Sequence, residues 1–212
     1  MWRRLCSGLV SLLLGLIFLM LTPEGGAVAE MISLPQPSFK GKVSVEEALK
    51  ARRTHRSFKT TPLKLAELGQ LLWAAYGVTA EKHGYQLKTA PSAGALYPID
   101  LYAVIGDGGV AGLEAGVYLY QPTGHGLELV KEGDLRARTA QDSLGQTWMA
   151  RAPIILVITS EYARITVKYG RRGVLYAHIE AGHVGQNIFL QAEALGLKAG
   201  IVGAFDNDRI IK

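Results

Sequence analysis

Arg52, Arg53 and Arg56 lie within five positions of one another, with Thr54 between them. Guanidinium groups are planar, permanently charged and fork-shaped, so such a cluster can close on a phosphate, a hydroxyl completing it. Cations at a helix end also complement its negative terminus, and most charge clusters are solvated surface, so the residues alone leave both readings open. His178, Glu180 and His183 suggest a metal, but zinc helices space their histidines four apart. These are five apart, about 140° round a helix, and no metal site is expected. Glu180 and His183, three apart, are expected to pair with each other. Lys168-Tyr169-Gly170 would ordinarily be a solvated lysine and a packed tyrosine at a turn. By the same token Pro91-Ser92-Ala93-Gly94-Ala95 reads as a turn before a strand, and Val202-Gly203-Ala204 as a strand end closing in small residues.

The elements that must position these residues follow from periodicity. Ser44 and Glu47 have capping-box spacing, so a first helix runs from about Val45 into Arg52-Arg53. Leu65, Leu68, Leu71, Leu72 and Ala75 recur at helical spacing and predict a second helix to Tyr76. Ile99 to Ile105 is rich in strand formers, and Gly116–Gln121 with Leu127–Lys131 reads as a hairpin around Pro122-Thr-Gly-His-Gly126. Asp134 is expected to cap a third helix ending before Gly145. Ile154 to Thr159 predicts a buried strand, Val174 to Leu195 a long helix closed by Gly196, and Lys198 to Phe205 a final strand. Hairpins mixed with helices argue for an α+β fold.

Residues 1–29 read as a signal peptide or membrane anchor: Arg3 and Arg4 precede the apolar run Leu5 to Leu21, and Ala27-Val28-Ala29 has a small-x-small pattern. The chain is thus expected to be exported, periplasmic or secreted, or anchored by its N-terminus, with membrane contact only through that segment. Residues 30–43 form an extended lead-in and 44–212 one domain, whose ending reads as C-terminally shortened. The single cysteine, Cys6, falls in the leading segment, so the remainder has no disulfide or thiolate. Lysine and arginine number 23 against 18 acidic residues, a formal +5 spread along the chain without aromatic platforms. Nucleic acid is excluded as an expected partner, and a small anionic ligand suits this balance better.

Three stretches occurring in this order, Ala-Arg-Arg-Thr-His-Arg-Ser-Phe at 51–58, Ala-Pro-Ser-Ala-Gly-Ala-Leu-Tyr-Pro at 90–98 and Lys-Tyr-Gly through His-Ile-Glu-Ala-Gly-His to Gly-Ala-Phe-Asp, resemble the nitroreductase superfamily. They are closest to its SagB-type, thiazoline oxidase-like, FMN-dependent dehydrogenases. The resemblance implies a nitroreductase-like fold, a mixed, mainly antiparallel sheet flanked by helices, in an intertwined homodimer that binds FMN at its interface. Arg52, Thr54 and Arg56 match the opening phosphate motif, with Arg53 in a position often also used. Pro91, Ser92 and Ala93 match the loop that lies on the flavin from the partner subunit, although Ala95 and Tyr97 stand where ordinary nitroreductases carry Asn and Gln. Val202, Gly203 and Ala204 match the backbone that approaches flavin N5. Lys168 and Tyr169 match the catalytic proton-transfer pair, and lysine would need partial burial and nearby Arg164, Arg171 and Arg172 to lower its pKa toward working pH. The implied activity is hydride transfer between a small-molecule or peptide substrate and the flavin, with NADH or NADPH as electron donor. The alternative is a non-catalytic flavin- or nucleotide-binding protein with a degenerate, truncated site.

Overall fold

The computed structural model describes residues 31–82 and 84–210; the expected signal segment, Cys6 included, lies outside the described residues. Among the described residues no helix is long and apolar enough to cross a membrane.

Helix α1, Val45–Ala51, starts on the capping box expected of it: the Ser44 hydroxyl accepts from the Glu47 N–H at 3.1 Å and the Glu47 carboxylate from the Ser44 N–H at 2.8 Å. Two of the four free N–H groups at the helix start are thereby satisfied. The helix stops at Arg52, whose ψ of 122 turns the chain outward. Helix α2, Leu65–Tyr76, buries Leu68, Leu71, Leu72 and Ala75 along the predicted stripe and ends with Tyr76 also buried.

The main sheet takes β1 (Met31–Ser33), β4 (Ile99–Ile105), β5 (Gly116–Gln121), β6 (Gly126–Glu132) and β7 (Ile154–Ser160) in the order β1-β6-β5-β4-β7. Every adjacent pair is antiparallel. Among the described residues, parallel pairing is confined to two isolated bridges, Thr54 with Ala199 and Leu63 with Val110. Helix α5, Arg172–Ala194, packs with α2 against this sheet, and Leu68, Leu72, Leu101, Ile105, Leu127 and Val184 form the shared core. Each such side chain contributes about 1.5–3 kcal/mol of burial. Gly196 ends α5 in the left-handed region, φ 71, and its N–H reaches Glu193 O while the Leu197 N–H reaches Ala192 O. Those two bonds make a Schellman closure, which a glycine at this position permits without a Cβ penalty.

Three expectations are corrected. Lys198–Phe205 is not a strand: its one ladder-like contact is the bridge from Ala199 to Thr54, and Gly200 passes so close to the His55 carbonyl that a Cβ there would lie 2.3 Å away. The segment therefore lies against the residues after α1, and no side chain could stand at Gly200. Strand β7 is half-buried along its length, because it is a sheet edge and β4 covers only one side of it. Lys168 and Tyr169 close a helix, α4 (Ala163–Tyr169), before Gly170 turns the chain at φ 54. Met31–Ser33, inside the expected extended lead-in, is indeed extended and pairs with β6. A hairpin that no periodicity in the sequence marks, β2–β3, Val78–Lys82 with Tyr85–Lys88, forms a separate two-stranded sheet. Asp134 accepts from the Arg136 N–H at 3.0 Å at the start of α3, Arg136–Asp142.

Candidate active site

The loop between β3 and β4 is backbone-strained. Gly94, Ala95 and Tyr97 have φ of 65, 54 and 47, and a left-handed L-residue costs about 1–2 kcal/mol. Ser92 holds this shape: its hydroxyl accepts from the Tyr97 N–H at 2.9 Å and its carbonyl from the Ala95 N–H at 3.1 Å. Strain maintained in this way marks sites where backbone shape has a use. Two predicted residues lie on the loop's apex. A Cβ at Gly94 would sit 2.8 Å from Tyr169 Oη and 3.0 Å from Lys168 Nζ, so only a glycine leaves both polar ends their places.

Tyr169 is half-buried and meets Tyr176 of α5 edge-on, centroids 5.1 Å apart, with Lys168 Nζ 5.4 Å from the Tyr169 centroid. Lys168 itself is exposed. The burial expected to act on it is therefore not provided within this chain, and two of the arginines expected beside it are committed elsewhere. Arg164 makes a bidentate pair with Asp100, 2.8 and 2.9 Å, and Arg172 donates to the Tyr176 hydroxyl at 3.0 Å.

Behind the loop is a polar group that sequence spacing did not reveal. Glu180, 1% exposed, accepts from the Tyr76 hydroxyl at 2.5 Å, and that hydroxyl in turn accepts from the Ile99 N–H at 3.4 Å. The expected Glu180–His183 pair is replaced by this bond, because Glu180 faces α2 in the core while His183 is exposed. Burial raises the Glu180 carboxyl above the usual range, against the opposing pulls of Ser92, Tyr76 and Lys88. Lys88 Nζ lies over two rings, 4.0 Å from the centroid of Tyr76 and 4.8 Å from that of Tyr97. Burial lowers the Lys88 amine to about 8, with Glu180 and Asp100 pulling the other way. His178 is turned outward to the Tyr162 hydroxyl, 2.9 Å away, and is not part of this group.

The opening and closing motifs meet elsewhere. Thr54 bridges to Ala199, the His55 N–H donates to Ala199 O at 2.9 Å, and Arg52 lies over the Phe189 ring, 5.3 Å to its centroid. Arg56 stands 5.9 Å from the Trp148 ring centroid. None of Arg52, Arg53 and Arg56 pairs with a carboxylate among the described residues. Arg53 differs from its neighbours, since its Nη1 donates to the carbonyls of Lys50 and Arg52 at 3.0 and 2.7 Å. Val202, Gly203 and Ala204 follow on, with Gly203 in open space and Ala204 O accepting from Gln146 Nε2 at 3.0 Å.

The predicted residues thus form two clusters on α5. Arg52 reaches Phe189, whereas the Pro91–Ala93 loop faces Tyr176 and Glu180. Thirteen residues separate Tyr176 from Phe189, about 20 Å at the helical rise.

A model of the nitroreductase family matches residues 49–212. The chain belongs to the nitroreductase family. A candidate nitroreductase of Methanocaldococcus jannaschii is 43% identical over 169 residues, covering 80% of this chain and 83% of that protein. The crystal structure of a candidate nitroreductase from Ralstonia eutropha superposes with a TM-score of 0.72 at 31% identity, covering 86% of this chain and 81% of that one. The microcin B17-processing protein of Escherichia coli is 30% identical over 125 residues, 58% of this chain and 46% of that protein. This nitroreductase-family chain is therefore also similar to a microcin-processing protein. Nothing in the linear spacing of Tyr76, Lys88 and Glu180 could have joined them; the one available signal was a tyrosine placed at the end of an otherwise aliphatic helical stripe.

Proposed function

We propose that this nitroreductase-family oxidoreductase is an FMN-dependent dehydrogenase of SagB type, which oxidises an azoline-like small molecule or peptide by hydride transfer to flavin N5. NADH or NADPH is the proposed donor in the reductive direction. The observation that carries this reading is the contact of Gly94 with Lys168 and Tyr169, which puts the flavin-loop motif and the proton-transfer pair in one place. The residues present fit the cofactor: Arg52 and Arg56 are cations with no carboxylate partner among the described residues, and Gly203 leaves its surroundings open to a flat ligand. Arg52, Thr54 and Arg56 would hold the phosphate, Arg53 would support the turn, and the backbone at Val202, Gly203 and Ala204 would face the ring. Pro91, Ser92 and Ala93 would lie on the ring of the partner subunit, so that a homodimer joins the two clusters that α5 keeps apart. The half-exposed Leu175 and Ile179 on α5 suit such an interface.

Bound FMN would supply the hydride acceptor. The chain's own task is then the proton that leaves the atom next to the oxidised carbon, and Lys168 Nζ and Tyr169 Oη, both at the loop apex, would accept it, with the partner subunit supplying the cover that this chain alone does not give Lys168. Export or anchoring through residues 1–29 belongs to the same proposal and rests on the sequence pattern alone.

A visible absorption spectrum of the purified chain tests the flavin reading, with bound oxidised flavin expected. Lys168→Ala and Tyr169→Phe should each keep that spectrum and lose most turnover on an azoline peptide. Normal turnover in both would make the pair structural and overturn the assignment.

A further inference from the structure

Glu180 holds a carboxylate in the interior with only one of its oxygens satisfied. Oε1 takes the Tyr76 hydroxyl, while Oε2 is buried without a hydrogen-bond partner. The Ser92 hydroxyl is near enough to pull on the carboxyl's charge, but it makes no hydrogen bond of acceptable geometry to Oε2. An unpaired buried acceptor is costly, and more so when it is charged. A fold that needed only an anchor for Tyr76 could use a glutamine or a water-filled gap. Glu180 also lines a cavity of 240 Å³ whose other walls include Pro91, Ser92, Tyr176, Ile179 and His183. Two of the motif stretches therefore border one cavity, and its only acidic wall is the residue with the missing partner.

We propose that Glu180 is a ligand-binding residue whose free oxygen accepts a hydrogen bond from an amide- or imide-type N–H of a molecule seated in this cavity. This inference rests on the flavin reading above and adds a contact to it. The walls suit a flat group that carries such an N–H: Tyr176 and Ile179 give apolar surface, and Ser92 is extended there, with φ −124 and ψ 138. Two sources offer the same chemistry, the imide edge of the flavin ring and a peptide group of the substrate. Burial raises the Glu180 carboxyl, and Lys88, beyond Tyr76, is among the groups that pull it back toward the ionised, accepting form.

The test uses the full chain and two variants. Glu180→Gln keeps the shape and an oxygen for Tyr76 but turns the second position from acceptor to donor. Ile179→Trp, at a wall position 48% exposed on the face of α5 proposed for the homodimer, fills the cavity, and its oligomeric state is read by sedimentation so that a lost dimer is told apart from a filled cavity. FMN affinity is read by quenching of flavin fluorescence, substrate KM by turnover of an azoline peptide on flavin-saturated protein, and folding by thermal melting. Glu180→Gln is expected to melt near the wild type and to weaken one ligand about ten- to a hundred-fold, with Ile179→Trp weakening the same one. A loss in FMN affinity assigns the N–H to the cofactor, and a rise in KM at unchanged FMN affinity assigns it to the substrate. Wild-type FMN and substrate binding in a folded Glu180→Gln overturns the inference and leaves the flavin reading standing. Should Glu180→Gln fail to fold, wild-type binding of both ligands by Ile179→Trp overturns it equally. A wild-type chain that binds no FMN overturns the flavin reading itself, separately from either result.

Discussion

Gly94→Ala separates the chemistry of the loop apex from its stability. Gly94 has φ 65, and an alanine there takes on the left-handed penalty of about 1–2 kcal/mol, less the roughly 0.4–1 kcal/mol gained by stiffening the unfolded chain. A net loss near 1 kcal/mol lowers the melting temperature of a chain of this size by about 2–4 °C. The new Cβ would also fall 2.8 Å from Tyr169 Oη, where ordinary contact begins at 3.4 Å, so the hydroxyl must retreat by about 0.6 Å. Lys168 Nζ, at 3.0 Å, must move as well. Both are ends of flexible side chains, so the retreat is cheap in stability. In a reacting geometry it is not, because a misplacement of about 1 Å can cost a hundred-fold in rate, and roughly ten-fold is expected here. Gly108→Ala is the control: its φ is 60 and nothing lies within 4 Å of the added Cβ, so it carries the backbone penalty alone. The assay is azoline-peptide oxidation by flavin-saturated protein beside thermal melts of all three chains. Gly94→Ala and Gly108→Ala should melt alike and differ about ten-fold in turnover, with flavin absorption unchanged. Equal turnover in the two variants would refute the placement of Lys168 and Tyr169 in the reaction.

Arg56→Ala and Arg52→Ala should each lose a charge-assisted hydrogen bond to the phosphate, about 1.5–3 kcal/mol or roughly ten- to a hundred-fold in FMN affinity, measured by fluorescence titration. Arg53→Ala should cost less, since its donors already serve the Lys50 and Arg52 carbonyls; an Arg53 effect larger than that of Arg56 would contradict this division. Lys88 has a folded pKa of about 8 against 10.5, so the unfolded chain holds the extra proton between those values and stability contributed by this residue should rise as pH increases from about 8 toward 10.5. Urea unfolding at both ends of that window should show the rise in the wild type and its loss in Lys88→Met. A persistent rise in the variant would assign it to another group.

The parts of this fold that were legible in the sequence are those set by neighbours along the chain. Ser44 and Glu47 close a capping box because both partners lie within one turn, and Leu65 to Ala75 face the core because their spacing is the helix's own. Lys198 to Phe205 misled for a complementary reason. Ile201 and Val202 have strand propensity, but pairing depends on what lies alongside, and here that is the segment after α1 and the Trp148 ring, 3.1 Å from where a Gly200 Cβ would stand. The same limit applies to the site. Arg52, Thr54 and Arg56 advertise an anion by type and spacing, but nothing in them announces the bridge that brings Thr54 to Ala199. Glu180 was visible as a charge on a helix, and its three-residue spacing to His183 was read as a pair. The fold instead turns it inward to Tyr76, on a helix about a hundred residues earlier, and no periodicity encodes that distance. A buried carboxylate is tolerated only where something distant in sequence compensates it. The Tyr76 hydroxyl compensates one oxygen, and the uncompensated one is what a bound N–H would complete.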